Sequence, residues 1–383
     1  MNLHRIFLFV TAFISFFFSL NISAATVIDN NAPTVSLRTT CTEAGGSIFI
    51  NNCFTDMPTL ANWMKSTRKP NVSAPLLVEI GPGKFSGLVL CSDPTPFSYV
   101  TFRGAGMRKS TIGRLTLGSG CTELTFQDLT VTQQQAPGYA VTILNPGLNT
   151  TWNGVFLKGD WIEYGAGVCN PGKHYWFHSR ISGQYSISCD QSWFFGSEIT
   201  GETTYAGPGL YDLAAIAVAN KGEAHIYGSN INASKSSDPF FDTFIANRHV
   251  AVSASGGGKV HIHGTGIDVI SNTASNIVAL EVGVGGEIHA NESAYNMKTA
   301  AGGTVTRILN PNNVGHVHAP YVWQEHPQPP SINSQNGADM TVQTGCAANG
   351  CQSAGTETHL LIYNTNCTGT GGPWFDVVTR ACR

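Results

Sequence analysis

Four histidines recur at one position of a repeated phrase, and they are the clearest candidates for chemistry in the chain. The phrase reads GEAHIYGSNIN (222–232), GKVHIHGTGID (258–268) and GEIHANESAYN (286–296), with a fragment GHVHA (315–319). Its histidine column is His225, His261, His289 and His318, spaced 36, 28 and 29 residues apart. Tyr227 and His263 follow two residues later, and His316 lies two residues before His318. Neutral imidazoles in such a row can ligate a metal, and protonated ones can hold a polyanion below about pH 6.5. The plainer reading is a solvated ladder of like residues inherited from the repeat, because a flat face rarely surrounds an ion. No metal is assigned on the sequence alone.

The long first spacing points to a second candidate. Its excess falls in Ser237–His249, which holds two acids, three phenylalanines, an arginine and a histidine. Asp238 or Asp242 could serve as a base or metal ligand, with Arg248 pairing an acidic sugar and His249 as a further catalytic candidate. A third candidate is the aromatic stretch 150–195. Trp161, Trp176 and Trp193 could bind the apolar faces of sugars, with His178 and Arg180 fixing hydroxyls or carboxylates. Asp160, Glu163 and His174 stand near them in sequence. Calcium remains possible as a cofactor, but no motif gathers the acidic ligands it takes.

The elements that carry these residues alternate with period two. Val260 and Ile262 fall on one face of a strand, His261 and His263 on the other. Gly264-Thr265-Gly266 turns the chain, and Ile267 and Val269 resume the apolar face. A unit of two short strands cannot bury its own apolar side. Stacked units can, each strand bonding to the turns above and below it. The entrance predicts a cap, with a short helix over 56–65: Asp56 as N-cap, Pro58 in the first turn, and Leu60, Trp63 and Met64 as the apolar face. Strands follow at 76–85 and from Val100 onward.

That order, a helix, then V-E-I-x-P-G-x-F-x-G (78–87), then V-T-F-R-G-A-G-x-x-x-S-T-I (100–112), resembles the opening of the pectin-lyase-like right-handed parallel β-helix superfamily. The resemblance implies an all-β solenoid with an N-terminal capping helix. Its N-terminal part is loosely similar to the pectinesterases, which carry G-x-V-D-F-I-F-G with a catalytic Asp. Here the nearest match, Ser192 to Gly196 (SWFFG), has Ser192 where that Asp belongs. Asp190 is displaced by two residues along the chain, too far to replace it. A pectinesterase activity is therefore not expected.

Composition bounds the rest. Charged residues are 12% of the 383-residue chain, Gly numbers 42, and net charge is −3. This excludes a coiled coil or a globally basic nucleic-acid binder. Residues 1–25 read as a signal peptide: Arg5, an apolar run from Ile6 to Leu20, and Ser23-Ala24-Ala25 for cleavage. No later segment is apolar enough to span a bilayer, so the expected location is secreted, periplasmic or extracellular. Ten cysteines then read as disulfides. Neighbour pairing gives Cys41–Cys53, Cys91–Cys121, Cys169–Cys189, Cys346–Cys351 and Cys367–Cys382, and the last four could also pair crosswise. The expected organisation is a leader (1–25), an N-terminal segment with its capping helix (26–74), a β-helix (75–335) of roughly nine turns, a linker within 327–337, and a Cys-rich module (338–383). The functional expectation is an exported protein binding a polysaccharide or cell-surface polymer along one side. A polysaccharide lyase or hydrolase and a structural or adhesive protein are the alternatives.

Overall fold

The computed structural model describes residues 29–41, 52–90, 98–118, 121, 123–133, 139–144, 147–163, 171–201, 214–234, 248–271, 276–291, 293–299, 304–310 and 316–324. It also describes short strands at 331–334, 341–344, 359–363, 374–376 and 381–382. The chain winds as a parallel β-helix. Leu76, Val100 and Leu124 are hydrogen-bonded neighbours on successive coils, 24 residues apart. Each coil lays down three short strands, one on each of three parallel sheets. The first sheet runs from Thr34–Leu37 through Leu76–Ile80 to His316–Gln324. The second carries the strand after the bend, as in Arg180–Ser182 beneath Glu198–Thr200. Among the described residues the third has ten strands, from Leu88–Leu90 to Ser331–Ser334. Ten rungs replace the roughly nine expected, because the early coils are shorter than the 28-residue repeat of the histidine phrase.

Burial follows the alternation. In Lys259–His263, Val260 and Ile262 point into the tube while His261 and His263 remain half-buried outside. Inward side chains therefore stack along the axis in columns. One column is Val78, Phe102, Phe126, Trp152, Trp176, Phe194, Ile226, Ile262 and Ala290. Its rings lie nearly parallel, with centroids 5.2 Å apart for Phe102–Phe126, 4.2 Å for Phe126–Trp152 and 4.8 Å for Trp152–Trp176. Such pairs add about 0.5–1.5 kcal/mol each beyond the area they bury.

The bend between the first two sheets needs a left-handed residue. Gly196, Gly228 and Gly264 take φ of 55°, 53° and 54°, and His178 and Asp128 take 47° and 51° at the same corner. A hydroxyl follows each glycine, and the hydroxyls bond across coils. Ser179 N donates to Ser197 Oγ at 3.3 Å, and Ser197 N to Ser229 Oγ at 3.1 Å.

The capping helix forms as Met57–Trp63. Thr59 N donates to the Asp56 carboxylate at 2.8 Å, and Met57, Leu60, Trp63 and Met64 are buried. A π-helical turn, Met64–Arg68, extends it, ending at left-handed Lys69. Cys41 and Cys53 form the expected disulfide beside this cap. Cys121 and Cys189 are also disulfide-bonded. Their expected partners, Cys91 and Cys169, lie outside the described residues, as do Cys346, Cys351 and Cys367. At the other end, Ser331–Ser334 continues the third sheet inside the segment read as a linker. Thr341–Thr344 adds a parallel rung, and His359–Tyr363, Trp374–Asp376 and Ala381–Cys382 follow antiparallel. Among the described residues no helix is long and apolar enough to cross a membrane.

Candidate functional site

The outer side of the first sheet carries two ring ladders. Tyr175, Trp193, His225, His261 and His289 occupy one register position on successive strands. Their ring centroids are 5.0, 5.0, 4.8 and 5.1 Å apart, and adjacent planes lie within 19° of parallel. Phe177, Phe195, Tyr227 and His263 form the second ladder two residues on, at 5.1, 5.4 and 5.2 Å. This spacing is the strand separation itself, about 4.8 Å. The geometry has a chemical consequence. Each ring spends its faces on its neighbours, so what meets solvent is an edge. The polar ring atoms of Tyr175, Trp193, Tyr227 and His263 make no hydrogen bond with the described residues. The face thus presents ring edges, some of them polar, rather than a set of open platforms for sugar rings.

A charged column flanks the ladders. Glu223 Oε1 lies 3.1 Å from His225 Nε2 and 3.3 Å from His261 Nε2, while its other oxygen accepts from Gln191 Nε2 at 2.8 Å. Glu287 pairs Lys259 at 3.0 Å and also contacts His289 Nε2. Hydrogen bonds from His289 and Lys259 hold the Glu287 carboxyl down at about 2. Partial burial pushes His225 below the usual imidazole range despite Glu223. Burial and the neighbouring imidazoles do the same to His261. Both rings are accordingly neutral at pH 7.

A second group of polar side chains lies inside the tube. The interior column Leu76, Val100, Leu124 continues as Thr150, His174 and Ser192 before returning to Ala224, Val260 and Ile288. His174 is fully buried. Its Nδ1 meets Thr150 Oγ1 at 2.7 Å, and its Nε2 lies 3.0 Å from Asp190 Oδ2 and 3.8 Å from Glu163 Oε1. The carboxylates are pinned in turn. Gly172 N donates to Asp190 Oδ1 at 2.7 Å, Ser188 N to Glu163 Oε2 at 2.8 Å, and Trp161 Nε1 to Glu163 Oε1 at 3.1 Å. Burial, then the charge of Asp190, drives the Glu163 carboxyl well above the usual range. Tyr185 OH, which meets Ser192 Oγ at 3.1 Å and accepts from Trp176 Nε1 at 2.9 Å, is also raised, chiefly by burial. Nearby, Asp160 is raised to about 7 by burial, against one backbone hydrogen bond from Gln184 N.

The residues singled out from sequence separate accordingly. Trp161 and Trp176 are 0% exposed, stacked or edge-on to Trp152 and Tyr185, so neither is a ligand-binding ring. They sit at inward positions of their strands, and their faces fill the core. Asp160, Glu163 and His174, read as polar neighbours for a bound sugar, are inside as well. Trp193, His178 and Arg180 lie outside. Trp193 is in the first ladder, His178 is exposed at the corner, and Arg180 is exposed with Glu198 at 3.5 Å and its guanidinium over Phe156. Asp238 and Asp242 lie outside the described residues. Arg248 and His249 begin a third-sheet strand, where His249 is almost fully buried. In the histidine column, His225, His261 and His289 stack as anticipated, and His318 keeps the register. Among the described residues, two groups gather three potential metal ligands: Glu223, His225 and His261 outside, and Glu163, His174 and Asp190 inside. Neither has the oxygen-rich set of six or more ligands that calcium takes. Comparison with known proteins finds no matching family, no matching curated protein and no matching solved structure.

Proposed function

We propose that this is an exported binding protein that holds an extended polysaccharide or similar cell-surface polymer along the outer face of its first sheet. The observation that carries the reading is the paired ladder, which sets one ring edge per coil from Tyr175 to His289 along the outer face, with Glu223 and Glu287 beside the histidines. A ligand that uses such a face is itself repetitive, and an extended sugar chain repeats on the scale of one strand spacing. Recognition proceeds through edge hydrogen bonds to hydroxyls or carboxylates, since the ring faces are occupied. The disulfides at Cys41–Cys53, Cys121 and Cys189 support a location outside the reducing cytosol. We also place the chain within the pectin-lyase-like superfamily, on the strength of its parallel β-helix and the 78–112 segment. The lyase or hydrolase alternative is less well supported. Its acids with strongly raised values are enclosed in the tube rather than set in a cleft.

The test is affinity electrophoresis of the purified mature protein through gels containing neutral or acidic polysaccharides, with the products of each incubation read by mass spectrometry. Retardation by at least one polymer, reduced by Trp193→Ala and Tyr227→Ala, is expected. Unretarded migration across the panel, or retardation unchanged in both variants, refutes the proposal. Shortened or unsaturated fragments would establish the enzyme instead.

A further inference from the structure

The interior polar group is the least expected feature of the molecule. Above and below it the same columns are aliphatic: Leu124 precedes Thr150 and His174, and Leu117 and Ile143 precede Glu163. Two carboxylates and an imidazole in a dry core cost several kcal/mol each unless something compensates them. We propose that Glu163, His174 and Asp190 form a structural site for one divalent transition-metal ion of the zinc class, clamping one corner of the solenoid across successive coils.

Four observations support the assignment. First, His174 Nε2, Asp190 Oδ2 and Glu163 Oε1 converge, with separations of 3.0 and 3.8 Å from the nitrogen and all three within 4.8 Å of one another. Ligand atoms on one tetrahedral zinc stand about 3–3.5 Å apart, given bonds of about 2.0–2.2 Å. Second, each ligand is held from behind. Thr150 is on His174 Nδ1, Gly172 N on Asp190 Oδ1 and Ser188 N on Glu163 Oε2, while Trp161 Nε1 shares Glu163 Oε1. Outer partners of this kind orient ligands and sharpen affinity. Third, a divalent cation neutralises the two facing carboxylates, which no Lys or Arg approaches among the described residues. Fourth, the set of one nitrogen and two oxygens suits a borderline ion rather than calcium. The outer group is the weaker candidate. His225 and His261 lie nearly parallel, 9° apart with centroids at 4.8 Å. Their in-plane lone pairs do not meet at one point unless the ladder is broken.

The experiment uses the full secreted chain with its disulfides intact. Metal content is measured after exhaustive dialysis in metal-free buffer, and thermal unfolding is recorded after unfolding in chelator and refolding with or without Zn2+. Wild-type protein and a His225→Asn/His261→Asn double variant are expected to hold about one zinc per chain and to melt higher with it. Glu163→Gln and Asp190→Asn, which preserve volume, are expected to lose affinity roughly tenfold or more. X-ray absorption of the wild-type zinc form should show a single imidazole among oxygen ligands, a result independent of how the variants fold. Absence of bound metal together with no shift in melting overturns the proposal. So does zinc held by two or more imidazoles, or zinc lost in the outer variant and kept in Glu163→Gln.

Discussion

Asp160→Asn should stabilise the protein at neutral and alkaline pH and leave it unchanged in acid. Asp160 is 3% exposed, and the chain of the next coil closes over it. A Cβ added to Gly183 would stand 2.8 Å from Asp160 Oδ1 and 2.4 Å from Gly159 O, so there is no room for water on that side. One N–H, from Gln184, reaches the carboxyl at 2.8 Å. The folded value near 7 exceeds the ordinary 3.8 by about three units. At about 1.4 kcal/mol per unit, this amounts to about 4 kcal/mol. For the sign, between pH 4 and 7 the native state binds a proton that the unfolded chain has released. Stability therefore falls as pH rises through that window, by about 1.4 kcal/mol per pH unit, and is level above it. Asparagine keeps the oxygen that Gln184 N donates to and removes the ionisation. Urea unfolding of both proteins, followed by tryptophan fluorescence without reductant, tests this at pH 4, 5, 6, 7 and 8. The neighbouring Trp152, Trp161 and Trp176 report on these coils even where a solenoid unfolds in parts. The two proteins should coincide near pH 4 and diverge to about 4 kcal/mol at pH 8, the variant being the more stable. Contributions from every other titrating group cancel in the difference. A difference independent of pH would refute the reasoning. A variant less stable at pH 8 would show that the carboxylate is ionised and held by its hydrogen bond.

Trp152→Ala removes the centre of the interior ring column and should cost about 3–5 kcal/mol in the same urea assay. Gly286→Ala drives a Cβ to 2.2 Å from Ala254 O and should prevent closure of that coil, whereas Gly228→Ala meets nothing within 4 Å and carries only the left-handed penalty of about 1–2 kcal/mol. Paired expression and melting measurements separate the two. His225 and His261 titrate in the opposite sense to Asp160. Their values are lowered, so the unfolded chain binds protons first, and stability should fall as pH drops below about 6.5. A His225→Asn/His261→Asn double variant should flatten that limb of the pH–stability curve.

How much of this was legible in the sequence depends on which side of a strand a residue takes. The all-β solenoid, the capping helix, the Cys41–Cys53 bridge and the outward histidine column followed from period-two alternation, an N-cap, cysteine spacing and an internal repeat. Each is a local pattern, or a pattern compared with itself. The aromatic segment resists this reading because most of its residues are apolar whichever face they take. In KHYWF (173–177) alternation offers two assignments, His174 and Trp176 inward or Tyr175 and Phe177 inward, and polarity favours the wrong one. Register decides it. Counting 24 residues on from Leu76 reaches Val100, and from Val100 reaches Leu124; from Thr150 the same step reaches His174, so the imidazole takes an inward position although its chemistry argues otherwise. A one-residue slip would have reversed every side chain.

That reversal bears on function. A residue type that contradicts its register is expensive to keep, so the contradiction carries more information than the exposed ladder, which costs little. Thr150, His174 and Glu163 each contradict the columns they occupy, and Asp190, in the bend before Gln191–Phe195, meets His174 and Glu163 at the same corner. The outer rings agree with theirs. The proposed polymer face therefore needs only ordinary surface residues. The interior group demands a compensating charge, and the choice between a shared proton and a metal ion is what Glu163→Gln separates. A shared proton predicts a neutral or stabilising substitution with no response to zinc. A bound ion predicts that the zinc-dependent part of the stability shrinks by about 1.4 kcal/mol for each tenfold loss of affinity.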